Sequence, residues 1–307
     1  MKKPDVEIID VSAWVPAHEE TLGTKPKRWL QKPSTEEYWL MKDITFNRRR
    51  DGSIYPKGDD WSEWIACRVA RHLGLPAAQV EFAEGGPGAE TERGIVTLSF
   101  LAEGESLRHG NELLEEIGIT GSDTHDRTGY DLVAVRNVLD GAQPPEQTPG
   151  LTAWEVFVGY LVLDAVIGNV DRHQENWAVV ARDRSRRLAP TFDHASCLGF
   201  QLDDDQRIER LKSNDRNRHP ETYANRAKTR FDGEPPLLDI AAQGLSSIPE
   251  PVRRRWLDPC AQLDALDEIA SSAPPTRISE PSREFARRML RHNATRLLSH
   301  PLGTVTP

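Results

Sequence analysis

Between Leu151 and Ile167 the chain reads "LTAWEVFVGYLVLDAVI", a run whose only charges are Glu155 and Asp164. A helix that is apolar on every side has no face to give to water and must be buried. The run is marginally short for a bilayer and carries two carboxylates, so a buried helix in a soluble fold is the expected reading. Directly after it comes "GNVDRHQENWAVV", which sets Asn169, Asp171, Arg172, His173, Glu175 and Asn176 between the buried helix and a short apolar piece. Such a crowd of polar groups is either a solvated turn or a working site, and the remainder of the chain has to decide.

Residues 1 to about 100 look strand-rich with one helix. The segments "VEIIDVSAWV", "EYWLMKDITF" and "RGIVTLSFL" have the β-branched and aromatic character of strands. Between them "GDDWSEWIACRVARHLGLP" reads as a helix, with Asp60 as its N-cap and Gly74 to Pro76 as its stop. From about 105 the chain turns mainly helical. Near 169 to 200 it is interrupted by strand-like "WAVV" and "RLAPTF", joined by the polar hairpin "ARDRSRR". Residues 201 to 231 are dense in charge and read as exposed loop and helix. After the proline-rich stretch near 273 to 281, "SREFARRMLRHNATRLL" is a final amphipathic helix. The expected class is α+β: a β-rich N-terminal lobe over residues 1–103, a mainly helical C-terminal lobe over 104–307, and a cleft between them.

At 307 residues, 37% hydrophobic, the chain is long enough for two such lobes with real cores. A net charge of −9 gives no basic field for a nucleic acid and argues mildly against an anionic membrane surface. Cys67, Cys197 and Cys260 are odd in number and far apart, which argues against a disulfide framework and a zinc site. The N-terminal "MKKPDVEIID" lacks the apolar core of a signal peptide. A cytoplasmic protein without direct nucleic-acid or membrane contact is expected.

Two charges stand on apolar faces. Strand alternation sets Lys42 with Tyr38, Leu40 and Ile44. On the following helix a 100° projection gathers Ile65, Ala66, Cys67, Val69, Ala70 and Leu73 into one arc, with Trp61, Trp64, Arg68 and Arg71 opposite, and Glu63 falls inside the apolar arc. Lys42 could snorkel at a strand edge, and Glu63 could close a capping box with Asp60. The alternative is that each is the other's counter-ion, since a buried charge needs a partner. A strand lysine paired with a helix glutamate is how protein kinases hold a lysine against ATP phosphates, and it calls for a catalytic loop downstream.

The polar stretch after the greasy run has the right spacing for one. Asp171 and Asn176 stand five positions apart, as do the aspartate that meets an acceptor hydroxyl and the asparagine that binds metal in protein kinases. Beyond the hairpin, "LAPTFDHASC" puts Asp193 at the end of an apolar strand, where a second metal ligand belongs. Amide and carboxylate oxygens suit Mg²⁺ or Mn²⁺.

"LDAVIGNVDRHQENWAVV", "LAPTFDHAS", "GLPAAQVEF" and "RGIVTLSFLAEGESL" together resemble the HipA-like serine/threonine kinases, relatives of the toxin component of HipA/HipB toxin-antitoxin pairs. The D-R-H-x-x-N pattern also resembles the catalytic loop of phosphatidylinositol kinases. The likeness covers most of residues 20 to 200. It implies a bilobal protein-kinase-like fold, ATP and Mg²⁺ as cofactors, and a protein substrate, by analogy in the translation machinery, with an antitoxin as a further partner. Carried over residue by residue, Asp171 becomes the catalytic base, Asn176 and Asp193 the metal ligands, and Lys42, aligned by Glu63, the phosphate-binding lysine. Ser99, Phe100 and Leu101 become part of the hinge that receives adenine. Gly23, Thr24 and Lys25 fall in the phosphate loop, where family members can phosphorylate themselves; here only Thr21 and Thr24 are available.

The chain departs from the wider pattern in having no G-x-G-x-x-G, in placing His173 after the aspartate, and in reading "DHA" where many kinases have D-F-G. Other readings stay open: a small-molecule or lipid kinase, a nucleotide-binding partner without activity, and a metal-dependent phosphohydrolase built on His173 and His194. Asp164 is expected to accept backbone N–H bonds from the turn at Gly168 and Asn169. Arg172 is left to pair with a phosphate or with Asp193, and His173 to bond the loop backbone. The run "DDDQRIERLKSNDRNRH" is either solvated surface or a substrate-binding segment.

Overall fold

A computed structural model describes residues 6–19, 27–86, 93–119 and 127–301. Gly23, Thr24 and Lys25, and with them Thr21, lie outside the described residues.

The first part of the chain builds strands β1 (Ile8–Asp10), β2 (Val15–Glu19), β3 (Lys27–Gln31), β4 (Tyr38–Asp43), β5 (Phe46–Arg48) and β6 (Ile54–Pro56), helix α1 (Asp59–His72), then β7 (Val80–Glu84) and β8 (Arg93–Leu98). Six of these strands form one sheet in the order β1-β7-β8-β4-β3-β2, antiparallel except where β1 runs parallel to β7, while β5 and β6 pair separately. The "VEIIDVSAWV" stretch is thus two short strands with a turn between, because Trp14 N donates back to the Val11 carbonyl.

The two faces of the sheet have different work. Trp39 and Met41 point with Leu30, Ala83 and Val96 into a small core closed by Val11 and Trp14. Their neighbours alternate to the other face, where Phe82 and Ile95 join the main core under α1. Lys42 lies opposite Ile95 on β8 and opposite Lys27 on β3, so it stands on the face that α1 covers.

Helix α1 is wrapped almost all round. Trp61 and Trp64, expected on the outer side, are buried; Trp64 stacks on Phe82 at 5.0 Å and carries the Arg68 guanidinium over its ring. The helix packs on the sheet on one side and on helices of the second part on the other, so a single apolar stripe underdescribes it. Gly58, not Asp60, is its N-cap; Asp60 lies inside the first turn and binds Arg93 at 2.8 Å.

The remainder holds β9 (Ser106–His109), α2 (Gly110–Glu115), α3 (Leu132–Leu139), α4 (Ala153–Ile167), β10 (Ala178–Arg182), β11 (Ser185–Leu188), α5 (Asp204–Lys212), α6 (Pro220–Ala224), α7 (Leu237–Ser246), α8 (Glu250–Leu257), α9 (Leu263–Ser272) and α10 (Glu280–Ser299). The greasy run is α4, started by a Thr152/Glu155 capping box and ended by Gly168 in the left-handed conformation at φ 69°. Its residues are buried nearly without exception, packed by α7, α10 and α1. The "WAVV" hairpin forms as β10 and β11, and β9, which the helical reading of residues past 105 did not include, adds a third strand to it. No described helix is long and apolar enough to cross a membrane. The whole is α+β, a sheet-rich N-terminal part with a helical C-terminal part.

Candidate functional site

Where α4 ends, the αL turn at Gly168 throws the chain back across the helix terminus, and a buried ion pair fixes the loop beyond it. Arg172 Nε and Nη2 reach the two oxygens of Asp164 at 2.7 and 2.8 Å, and both side chains are only 2% exposed. Asn169 Nδ2 donates to the same carboxylate, and its Oδ1 accepts from Asp171 N at 3.2 Å. Arg172 Nη1 also donates to the Asn176 carbonyl at 2.8 Å. Burial pulls the guanidinium pKa down, but the Asp164 charge more than offsets it and leaves Arg172 above its usual value. Arg172 therefore belongs to Asp164, neither to a phosphate nor to Asp193. The backbone N–H groups of Gly168 and Asn169 go to the Asp164 carbonyl, whereas its carboxylate takes the Asn169 side chain and holds Arg172.

The far side of the loop is clamped by the start of α2. Gly110 N donates to the Trp177 carbonyl, Asn111 N to the Gln174 carbonyl, and His109 Nδ1 to the Glu175 carbonyl at 2.7 Å. A Cβ on Gly110 would sit 2.3 Å from the Trp177 ring, so only glycine fits there. Within the loop, Glu175 N donates to His173 Nδ1, which is the backbone role expected of that histidine. Burial holds the His173 pKa below its usual value, against the pull of Asp171, Glu175 and Asp193, so the ring is neutral at pH 7.

This frame presents two groups. Asn176 turns its amide nitrogen to the Asp171 carbonyl at 2.8 Å, and no described residue engages its Oδ1. Asp171 offers its carboxylate at the surface of the loop, with Ser196 Oγ donating to Oδ2 and Arg230 Nε to Oδ1, each at 3.2 Å.

Asp193 stands at φ 59°, a left-handed backbone that a non-glycine residue adopts only when its surroundings impose it. The residues after it are bolted to α1: Ser62 Oγ donates to the Ala195 carbonyl at 2.7 Å, and His194 lies between Glu63 Oε1 at 3.2 Å and Thr191 Oγ1 at 2.7 Å. The Asp193 carboxylate faces two lysines, Lys42 Nζ at 3.1 Å and Lys27 Nζ at 3.7 Å. Burial lowers the Lys42 pKa, but Asp193 and Glu63 outweigh it and leave the ammonium above its usual value.

The expected Lys42–Glu63 ion pair is not formed. Asp193 holds the ammonium, and His194 holds one oxygen of Glu63, whose other oxygen is buried with no described hydrogen-bond partner. Glu63 acts on Lys42 through its field, and by contact on the segment that carries Asp193. Lys27, at the start of β3, is brought directly to the site by its pairing with Lys42. Like charges facing each other across two strands repel, and the Asp193 carboxylate set against both is what compensates them.

At the junction of the two parts, Phe100, Leu101, Leu107 and Phe192 pack on Ala178, Val180 and Ala189. Ser99 N is taken by the Tyr38 carbonyl and Leu101 N by Ser99 Oγ, while Phe100 N has no described partner. This apolar platform leads through Phe192 into Asp193.

An amide oxygen such as that of Asn176 and a carboxylate such as that of Asp193 are donors that suit a hard divalent cation, which completes its shell with phosphate and water. Among the described residues no three His, Cys, Asp or Glu side chains converge as a metal cage, which is what a phosphohydrolase site would require. A cavity of about 550 Å³ lined by Val6, Lys32, Trp39, Trp64 and Arg68, among others, has none of these site residues in its wall.

A protein of known structure, the kinase CtkA, shares this arrangement of elements. The serine/threonine-protein kinase CtkA of Helicobacter pylori (strain J99) is 42% identical over 150 residues, which is 47% of this chain and 42% of CtkA, so the match spans less than half of that relative. The crystal structure of the H. pylori proinflammatory kinase CtkA superposes with a TM-score of 0.70 at 19% identity, covering 95% of this chain and 96% of that one. The two share a fold. HipA of Shewanella oneidensis MR-1, solved with HipB and its operator DNA, gives a TM-score of 0.48 at 15% identity over 93% of this chain and 64% of that one. Residues 10–252 match the family described as HipA-like C-terminal domain, a span that takes in Lys42, α1, the loop after α4 and Asp193. The chain belongs to the HipA-like C-terminal domain family.

Proposed function

We propose that this chain is an ATP- and Mg²⁺-dependent serine/threonine protein kinase, with residues 1–103 holding the nucleotide and 104–307 carrying the catalytic loop. The observation that supports this reading most is that Ser196, three residues past the lysine-held Asp193, donates to the Asp171 carboxylate, on the loop where no described residue engages the Asn176 amide oxygen. Identity to the serine/threonine kinase CtkA over 150 residues agrees with it.

In this reading Asp193 and Asn176 would hold the metal, and Lys42 and Lys27 would turn from Asp193 to the phosphates of ATP. Bound Mg²⁺ supplies charge neutralisation at the phosphate oxygens. Phe100 and Leu101 receive the adenine, with the Phe100 N–H open to a ring nitrogen. Asp171 orients the acceptor hydroxyl and takes its proton as the bond to the γ-phosphorus forms and the β–γ bridging bond breaks. Because the transition state is loose, positioning and charge do most of the work.

Lys42→Met is expected to weaken ATP binding about 10- to 100-fold, the worth of one charge-assisted hydrogen bond. Equilibrium binding of a fluorescent ATP analogue measures it, and unchanged affinity would remove Lys42 from the phosphate site. The reading as a whole is tested with radiolabelled ATP in a bacterial proteome extract, wild type beside Asp171→Ala. Label that depends on wild type and is absent with the variant is expected. A wild type that labels nothing, or a variant that labels equally, ends the kinase reading. The labelled band also identifies the substrate, which by family analogy belongs to the translation machinery.

A further inference from the structure

The catalytic aspartate has a partner that the sequence motifs do not contain. Arg230 reaches back 59 residues to donate Nε to Asp171 Oδ1 at 3.2 Å. The turn that carries it is firmly held. Its neighbour Phe231 is buried and stacked on Tyr130, centroids 4.4 Å apart and planes 13° from parallel, and Asp232 N donates to the Tyr130 carbonyl at 2.8 Å. The Tyr130 hydroxyl donates to the Arg172 carbonyl inside the catalytic loop and accepts from Trp177 Nε1. Arg230 is thus presented to Asp171 by a turn anchored to the same loop that presents Asp171.

The contact uses one edge of the guanidinium. Neither terminal nitrogen has a described partner, and both Arg230 and Asp171 are about a third exposed, at 38% and 32%. An exposed one-point ion pair adds little stability, so structural need does not account for an arginine here. The cation stands against Asp171, and Ser196, three residues past Asp193, donates to the other oxygen of the same carboxylate.

We propose that Arg230 is a catalytic cation: Nε keeps the Asp171 carboxylate in place while the two terminal nitrogens bind oxygens of the γ-phosphoryl group in transit. The inference rests on the kinase reading above. As the acceptor oxygen bonds to the γ-phosphorus, the bond to the β–γ bridging oxygen breaks with its electron pair leaving on ADP, and the acceptor proton passes to Asp171. Charge is then spread over the three equatorial oxygens, and a planar fork matches two of them where an ammonium matches one.

The test compares wild type with Arg230→Gln, Arg230→Lys and Arg230→Ala in transfer from radiolabelled ATP to dephosphorylated casein, alongside binding of a fluorescent ATP analogue and thermal unfolding. Arg230→Gln is expected to lose about 100-fold or more in kcat with nucleotide affinity unchanged, since arginines on transferred phosphoryl groups are worth that much or more. Arg230→Lys keeps part of the activity, and millimolar guanidinium ion restores Arg230→Ala. Wild-type kcat in Arg230→Gln overturns the inference. So does a faster variant, which makes the contact a resting latch, or a slow variant with lowered thermal stability and no guanidinium rescue, which makes the role structural. A wild type that labels neither casein nor extract fails the kinase reading itself and takes this inference with it.

Discussion

An Asp193→Asn protein is expected to transfer phosphate about a thousandfold more slowly than wild type while unfolding at nearly the same temperature. The loss of activity comes from charge: a carboxylate that holds a divalent cation against phosphates contributes several kcal/mol to the transition state, and a neutral amide cannot replace it. The small effect on folding comes from geometry. At φ 59° the residue sits where asparagine is among the best-tolerated residues, so Asn keeps the turn that Ala would strain. What the fold loses is the charge between Lys27 and Lys42. Asp193 is 27% exposed and the lysines 14% and 13%, so solvent screens part of the pair and the cost is about 1 kcal/mol. Steady-state transfer and thermal unfolding measured on the same preparation decide the matter. Full activity removes Asp193 from the metal site, and a large drop in stability with it would show that the carboxylate's work is to neutralise the two lysines.

The legible parts of the molecule were those where one residue type does one local job. An all-round apolar run can only be a buried helix, and α4 is one. The five-residue interval from Asp171 to Asn176 reappears as a loop whose asparagine turns its nitrogen to the Asp171 carbonyl and leaves its oxygen without a described partner. What sequence could not supply were pairings between distant segments. The apolar-face argument correctly found that Lys42 and Glu63 need partners, but nothing local says that Asp193 lies closer to the ammonium, or that His194 takes the glutamate. The clue was present in "DHA", a histidine beside Asp193, yet it read equally well as a metal ligand. Trp61 and Trp64 defeated the helical projection for a related reason: a projection assumes one buried face, and α1 is covered on two sides. Arg230 was invisible because its segment is charge-dense, and one arginine in such a run carries no pattern. Phe231 beside it, a lone large apolar group in a polar stretch, was the available signal of an anchored turn.

Asp164→Ala is expected to be the most destabilising of the substitutions considered, by about 3–5 kcal/mol, because it leaves the Arg172 guanidinium buried without its counter-ion. Asn169 loses the acceptor for its side chain at the same time, and through Asn169 Oδ1 the backbone of Asp171 loses its anchor. Activity should therefore fall together with stability, unlike Asp193→Asn, where the two separate. Chemical denaturation reads the first quantity as a lowered midpoint at unchanged slope. The double variant Asp164→Leu/Arg172→Met sharpens the test, since replacing both ends of a buried pair with apolar groups of similar size is often close to neutral. It should recover most of the stability and little of the activity, because an apolar pair packs the space but offers Asn169 and the Asn176 carbonyl nothing to hold. An Asp164→Ala protein that unfolds at the wild-type midpoint would mean that Arg172 finds another partner, and the ordering of Asp171 would then have to come from the α2 clamp alone.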